Sequence, residues 1–303
     1  MLRPLPRSWL ARLVSSHGSL SPGVTPRLLF FTAIAALVSV ANHYGHRWVR
    51  LPVGLYEVSG AVIALILSFR TNTAYNRFWE GRTLWGGVVN ACRNLQRGLR
   101  HHAHLTDDET RAVSSWIVVY AHSMRRHLRA QPDAPEITRL LSPDDDRRLR
   151  ESPHRALFAA EQISAIIVRL GQEGRLSPML QQHHEALVAT LVDLLGGCER
   201  ILKTPTPVGY VLLLERCITF YVSTLPLAIV EELDLLTAPV TMMASYLVLM
   251  IEGLGRELDN PFGHDPNDLP LSRICETIEM NLLGSSPESI LRPPQHLEEG
   301  IED

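Results

Sequence analysis

Charged side chains are absent from two long stretches of this chain, and that segregation constrains the fold more than any other feature. No Asp, Glu, Lys or Arg occurs in the 19 positions between Arg27 and Arg47, or in the 17 positions between Asp234 and Glu252. The middle of the chain, from about 100 to 200, is instead charged and has a helical pattern. A chain that alternates membrane-like and water-like stretches is expected to lie partly in lipid and partly outside it.

Composition and motifs exclude several classes of protein. A net charge of −3 gives no indication of a nucleic-acid partner. The four cysteines are scattered without a CxxC spacing, which favours reduced, packed thiols over a disulfide framework. No signal-peptide core follows the N-terminal arginines. The motifs of nucleotide-binding loops, zinc proteases and serine hydrolases are absent, so we expect no enzyme.

Four hydrophobic segments are candidates for membrane-spanning helices, and they run from 27 to 48, 57 to 69, 207 to 230 and 237 to 251. The second and fourth are shorter than the roughly 20 residues that a lipid-exposed helix needs. The third contains Glu215 and Arg216, which we interpret as an intramembrane ion pair for packing or assembly. The alternative is a soluble all-α protein with several apolar core helices.

The arginines predict the topology. The segments before the first span and after the second carry many arginines, whereas the turn between the third and fourth spans, EELDLL, carries no Lys or Arg. The positive-inside rule then places both termini and the middle region in the cytoplasm, in a multi-pass protein of the inner (plasma) membrane. Arg47 and Arg50, between the first two spans, oppose this arrangement but are outnumbered.

The second hydrophobic segment continues into a stretch that mixes arginines with aromatic residues. There is no proline from Val58 to about Leu99, and apolar residues recur at helical spacing, which predicts one long helix. Its membrane part can be short if it lines an aqueous axis surrounded by other helices. The aromatic residues are expected to pack in a core: Phe78, Trp79 and Trp85. The charged residues are expected to form ion pairs with neighbouring helices: Arg77, Glu80 and Arg82.

This stretch, FRTNTAYNRFWEGRTLWGGVVNACRNL, closely resembles the signature of the bestrophin family, especially its prokaryotic branch. The segments GGCERILKTPTPVGYVLLLERCITFY and TLPLAIVEELDLLTAPVTMMASYLVLMIEGLGRELDNPFG resemble the family in the same order, as does HGSLSPGVTPRLL near the N-terminus. The resemblance covers most of the chain and is weak at 101–175 and 285–303.

The resemblance implies an all-α integral membrane protein that forms a ring-shaped homopentameric ion channel. Its four transmembrane helices per chain would continue into a cytosolic helical region. The corresponding segments are 1–26 (N-terminal, cytosolic or interfacial), 27–69 (transmembrane helices 1 and 2), 70–203 (cytosolic), 204–254 (transmembrane helices 3 and 4) and 255–303 (cytosolic tail). The partners would be other copies of the chain, membrane lipid and permeant monovalent ions.

In the family, one face of the second helix forms an apolar neck, and here that face is Ala61, Leu65 and Phe69. Rings of apolar side chains can gate by dewetting and select weakly. Ala61 is smaller than the family pattern, and packing against other helices is the alternative role for Leu65 and Phe69. The family also has a cytosolic constriction near a helix start, for which RLSPMLQQHH suggests Met179.

Selectivity is left open by the residues. The family name favours anions, with chloride as the expected ion. The acidic outer turn (Glu231, Glu232 and Asp234) would attract cations, so a monovalent-cation channel is the alternative, and a non-conducting membrane scaffold is a further one.

No cofactor is expected, with two alternatives from particular residues. Animal members bind calcium after the last membrane helix, where this chain has Asp259, Asp265 and Asp268. The histidines at 101–104 and 183–184 could bind zinc, although exposed histidines at helix ends are commoner.

Overall fold

The computed structural model describes residues 21–45, 51–131 and 135–284, and in this part of the chain the secondary structure is helical, without strands. The all-α prediction is confirmed. The α-helices are α1 (Ser21–His43), α2 (Val53–His102), α3 (Asp107–Leu128), α4 (Pro135–Thr138), α5 (Pro143–Glu151), α6 (Arg155–Gln172), α7 (Pro178–Lys203), α8 (Val208–Leu233), α9 (Thr237–Asp259) and α10 (Leu271–Leu283). A 3-10 turn, Asp234–Leu236, joins α8 to α9.

The predicted long helix is confirmed by α2, which is 50 residues long. The chain divides into two compact units. The first, here the apolar unit, comprises Met1–Phe78, Pro205–Pro261 and Asp265–Asn267, and the second, here the charged unit, comprises Trp79–Thr204, Phe262–His264 and Asp268–Asp303. The boundary falls inside α2 and just after α7, where two prolines follow the last helical residues.

The core of the apolar unit is made by α1, the first part of α2, α8 and α9. Its buried residues are Val24, Phe31, Ile63, Leu67, Leu214, Ile218, Val222 and Leu249. On α9, Thr237, Thr241 and Ser245 are fully buried at successive i, i+4 positions. This row of small side chains allows close backbone approach, as is common between membrane helices, and α9 packs mainly against α1.

The second and fourth spans lie in helices that extend beyond their apolar runs. Their apolar runs end at Phe69 and Ile251, but the helices continue to His102 and Asp259. The continuation carries charged residues whose partners come from other helices, among them Arg70 and Glu252. Because these charges are paired within the unit, they do not end the helices.

In the charged unit, α3 is buried along most of its length, against α6 and α10. It begins with a capping box, in which Glu109 N–H donates to Thr106 Oγ1 (3.3 Å) and Thr106 N–H donates to Glu109 Oε2 (2.8 Å). Arg175 donates to the same carboxylate, at 2.5 Å to Oε1. Hydrogen bonds from Arg175 and Thr106 lower the pKa of Glu109 to about 2. The negative carboxylate at this helix start also suits the helix dipole.

Candidate pore-lining site

The side of α2 that the resemblance assigns to the neck lies outside the core of the chain. Leu65 is 57% exposed, Phe69 is 62% exposed, and Ala61 is also exposed. Ile63 and Leu67, on the opposite side of the helix, are buried against α1, α8 and α9. Leu65 and Phe69 are therefore not packing residues within one chain, and their place in a pore stays a prediction.

The same face of α2 changes from apolar to polar beyond Phe69. Asn72, Thr73 and Asn76 are exposed, whereas Arg70 is 5% exposed and turns inward. Ser68 and Thr73 hydroxyls donate to the carbonyls four residues earlier, at 2.8 and 2.9 Å. The exposed face therefore presents side-chain amides, whose N–H groups can donate to an anion and whose carbonyls can accept from water.

A buried carboxylate draws together three arginines from three helices. Glu252 on α9 is 1% exposed and accepts from Arg27 on α1 (3.1 Å), Arg70 on α2 (3.3 Å) and Arg256 on α9 (2.7 Å). Arg256 also donates to Glu215 on α8 (2.6 Å). We name these five residues the Glu252 cluster, which has three cationic and two anionic side chains. Sequence reasoning missed it, although each of its members lies in or at the end of an apolar run.

The Glu252 cluster corrects the prediction for Glu215 and Arg216. Glu215 pairs with Arg256 and not with the adjacent Arg216, because neighbours in a helix point about 100° apart. Arg216 lines an open cavity of about 710 Å³. The other lining residues are Arg27, Leu212, Glu215, Thr219, Phe220, Ser223 and Arg256.

The acidic turn between α8 and α9 contains two kinds of carboxylate. Asp234 adopts a positive φ of 44° and is held by α1, since His43 Nδ1 lies 2.9 Å and Asn42 Nδ2 lies 3.3 Å from its carboxylate oxygens. Ser39 Oγ donates to its carbonyl at 2.7 Å. Asp234 therefore has a structural role in tying the turn to α1, whereas Glu231 and Glu232 are exposed.

Met179, the predicted cytosolic constriction, is 80% exposed and is the second residue of α7. Ser177 caps this helix by accepting from Leu180 N–H, and Pro178 occupies the first helical position. The cap and the proline fix the position of the helix start, and the methionine that follows is exposed. That this side chain narrows a pore remains a prediction.

Ion pairs predicted for α2 are present for two of its charged residues, one in each unit. In the apolar unit, Arg77 Nε lies 3.1 Å from a carboxylate oxygen of Asp259, and Thr206 Oγ1 donates to the same carboxylate at 2.6 Å. In the charged unit, Arg200 donates to Glu80 at 2.6 Å. The oxygens of Asp259, a predicted calcium ligand, thus have side-chain partners, while Asp265 is exposed and Asp268 is partly buried.

The histidines predicted to be exposed at helix ends are not all exposed. His184 is fully buried, with His102 Nδ1 3.2 Å from its Nε2. Gly98 makes room for the ring, since a Cβ at that position would lie 2.6 Å from His184 Cε1. Burial, followed by the nearby His102 and His183, lowers the pKa of His184 to about 4, so the ring is neutral at pH 7. His101 and His183 are exposed.

Three helical stretches of the described residues are long and apolar enough to cross a membrane: Gly23–His43, Val53–His102 and Val208–Asp259. The third comprises α8, the 3-10 turn and α9. With the exposed apolar face of α2, these stretches define a helical membrane protein.

The chain belongs to the bacterial and fungal bestrophin family, whose model matches residues 1–284. A relative from Synechocystis, named voltage-dependent anion channel-forming protein sll1024, is 37% identical over 96% of this chain and 94% of its own length. The voltage-dependent anion channel-forming protein YneE of Escherichia coli K12 is 33% identical over 93% of this chain and 92% of its own. These relatives have channel names, not enzyme names.

Solved structures show the same fold. A crystal structure of a bacterial bestrophin homologue from Klebsiella pneumoniae superposes with a TM-score of 0.82 at 32% identity, covering 87% of this chain and 100% of that one. A crystal structure of a point variant of a homologue from the same organism gives a TM-score of 0.81 at 31% identity, covering 87% of this chain and 99% of that one. The resemblance seen in the sequence is therefore confirmed over nearly the whole described chain.

Proposed function

We propose that five copies of this chain form a ring-shaped channel that conducts small monovalent ions passively, with a preference for anions such as chloride. The observation that carries the proposal is the exposure of Leu65 and Phe69 on a helix whose other side is buried. An apolar stripe followed by polar amides suits a dry neck that opens into a wetted vestibule. In this arrangement both termini lie in the cytoplasm and each chain spans the inner membrane four times.

Anion preference is supported by three features. The relatives named above are called anion channel-forming proteins. Asn72 and Asn76 offer amide N–H donors on the exposed face of α2. The Glu252 cluster has one more cation than anion, and Arg216 lines the cavity beside it. An excess of positive charge raises the local concentration of anions.

Assembly is tested by the mass of the purified protein. Five chains of 33.9 kDa give about 170 kDa, excluding detergent. Light scattering with separate determination of protein and detergent mass should return this value. A monomer or dimer as the dominant species would contradict the proposal, because a single α2 cannot enclose a pore.

The neck is tested by Leu65→Ala/Phe69→Ala in liposomes. If these side chains project into the axis, shrinking them should raise chloride flux through easier wetting and leave the melting temperature unchanged. If they pack against neighbouring chains, the change should remove about 2–5 kcal/mol per substitution and lower both flux and melting temperature. Leu29→Ala/Leu37→Ala removes two similarly exposed apolar side chains from α1 and serves as the matched control.

Selectivity is tested by reversal potentials under a potassium chloride gradient. The proposal expects a potential close to that of chloride. A potential close to that of potassium would favour the cation channel, and Glu231→Gln/Glu232→Gln should then reduce it. A stable oligomer without flux would indicate a scaffold.

A further inference from the structure

A second cluster of ionisable residues lies in the charged unit and has no part in the proposed conduction path. His127 is in the last turn of α3, His154 is the residue before α6, and Glu199 lies near the end of α7. The Nε2 atoms of His127 and His154 lie 2.6 and 2.9 Å from the same oxygen, Glu199 Oε1. Three separate helical elements thus bring two imidazoles and one carboxylate to one point.

The geometry of these three side chains suits a metal ion. One ligand atom from each residue lies within 4.8 Å of the others. The two rings lie 4.4 Å apart between centroids at an interplanar angle of 32°, and the Nε2 atom of each lies within 3 Å of Glu199 Oε1. Zinc takes imidazole nitrogen and carboxylate oxygen at about 2.0–2.2 Å, which puts tetrahedral ligand atoms about 3.3 Å apart. The two nitrogen–oxygen separations need to widen by less than about 1 Å to reach that spacing.

We propose that His127, His154 and Glu199 form a zinc site, with two imidazole nitrogens, one carboxylate oxygen and a fourth position open to water. In the described part of the chain, His127, His154 and Glu199 are the His, Cys, Asp or Glu side chains that come together in a group of three with metal-ligand spacing. The mixed nitrogen and oxygen donors favour zinc over calcium or magnesium, which take oxygen ligands. Partial exposure of all three side chains leaves an entry path.

Two contacts of these side chains compete with zinc binding, so a change in either contact would indicate that zinc is bound. Lys203 Nζ lies 3.0 Å from Glu199 Oε2 and neutralises the carboxylate. His154 Nδ1 accepts from Leu157 N–H at 3.3 Å and caps α6, so in the metal-free ring the proton is on Nε2. Zinc on Nε2 moves that proton to Nδ1, where it can no longer accept. Zinc binding should therefore remove the cap of α6.

The site is tested with the full-length protein in detergent, stripped with a chelator and titrated with zinc chloride against a fluorescent zinc indicator. The expected result is one zinc per chain. His127→Gln/His154→Gln should weaken binding at least tenfold, because even the loss of a residue that only orients a zinc ligand costs about 10–100-fold in affinity. Lys203→Met should tighten binding at least threefold, because it frees the carboxylate; a merely structural role of the cluster would not have this effect.

The matched control is His101→Gln/His183→Gln, which removes two exposed histidines of the other histidine-rich segments. Unchanged binding in this variant supports the proposal. Loss of binding there, with retention in His127→Gln/His154→Gln, would place the zinc at those segments and overturn it, as would an absence of binding at millimolar zinc. X-ray absorption spectroscopy on the zinc-loaded, unmodified protein identifies the ligands of the zinc without any variant. Two imidazoles and a carboxylate in the spectrum are expected, and any other ligand set would contradict the proposal.

Discussion

The two units of this chain place their polar and apolar residues by opposite rules. In the apolar unit, large apolar side chains are exposed along every long helix, and the buried charges gather in the Glu252 cluster. In the charged unit, the exposed large apolar residues are only Trp79, Leu157, Val168 and Met179 among those described. Its ion pairs include exposed ones and pairs with a buried member, such as Arg125 with Glu136 and Arg139 with Glu279. The difference fits the proposed arrangement, in which the apolar unit contacts lipid and the charged unit contacts water.

The strongest test of this comparison removes the buried carboxylate of the apolar unit. Glu252→Ala leaves Arg27, Arg70 and Arg256 without their shared partner, and breaking a buried ion pair costs about 3–5 kcal/mol. We expect a large fall in oligomer yield and melting temperature in detergent. Glu232→Ala, at the exposed end of α8, is the control and should behave like the unmodified protein. A normal melt for Glu252→Ala would mean that water reaches the cluster.

A second test fills a close contact in the charged unit. Gly98→Ala would place a Cβ 2.6 Å from His184 Cε1, and overpacking of this kind costs about 1–3 kcal/mol. Gly196→Ala is the matched control, because Gly196 lies within α7 with open space around it. There the alanine should stabilise by about 0.5–1 kcal/mol. Differential scanning fluorimetry should therefore show a lower melting temperature for Gly98→Ala and a higher one for Gly196→Ala. Shifts in the same direction would contradict the close contact between Gly98 and His184.

A third test uses pH. The pKa of His184 is lowered from 6.5 to about 4, so between these values the unfolded chain binds a proton that the folded chain does not. Stability then falls as pH falls, by about 2 kcal/mol between pH 7 and pH 5. His184→Leu should reduce this pH dependence in denaturant unfolding, and His101→Gln should leave it unchanged. An equal pH dependence in His184→Leu would show that other groups cause it.

Glu279, a carboxylate of the charged unit, affects stability at lower pH than His184 does. The nearby His122 ring and a hydrogen bond from Arg139 lower the pKa of Glu279 to about 2. A depressed carboxyl pKa stabilises above the unfolded value of about 4.3 and loses that effect as pH falls toward 2. Glu279 therefore does not contribute to the change between pH 7 and pH 5 assigned to His184.

The smallest expected effect is at an exposed ion pair. Glu80 and Arg200 lie 2.6 Å apart, but both side chains are about half exposed or more. Exposed pairs contribute about 0–1 kcal/mol, so Glu80→Gln should shift the melting temperature by about one or two degrees at most. A shift comparable to that of Glu252→Ala would show that burial does not set the difference between the units.

The sequence predicted those parts of the architecture that depend on residues close together in the chain. The absence of proline after Val58 predicted the long helix α2, and the apolar runs predicted the helices of the apolar unit. The family motifs indicated the fold because they preserve residue order over most of the chain. These features depend on neighbours in the chain and can be seen without tertiary structure.

What the sequence could not predict depends on contacts between distant residues. The Glu252 cluster joins positions as far apart as Arg27 and Glu252, so the adjacent Glu215 and Arg216 were wrongly paired. His184 was expected to be exposed because it lies in a histidine pair near a helix start. Its burial depends on Gly98, 86 positions earlier, which lacks the side chain that would exclude the ring.

The Glu252 cluster also has a consequence for the order in which the chain is made. Arg27 and Arg70 are synthesised well before Glu252, by 225 and 182 positions. In a chain that inserts during synthesis, these arginines are unpaired while the first two helices take up their orientation in the membrane. An excess of Lys and Arg at a helix end favours the cytoplasmic side for that end. Only when α9 emerges do they gain a carboxylate. Under the proposed topology, the same guanidinium groups act first as orientation signals for the nascent chain and later as ion-pair partners that join α1 and α2 to α9.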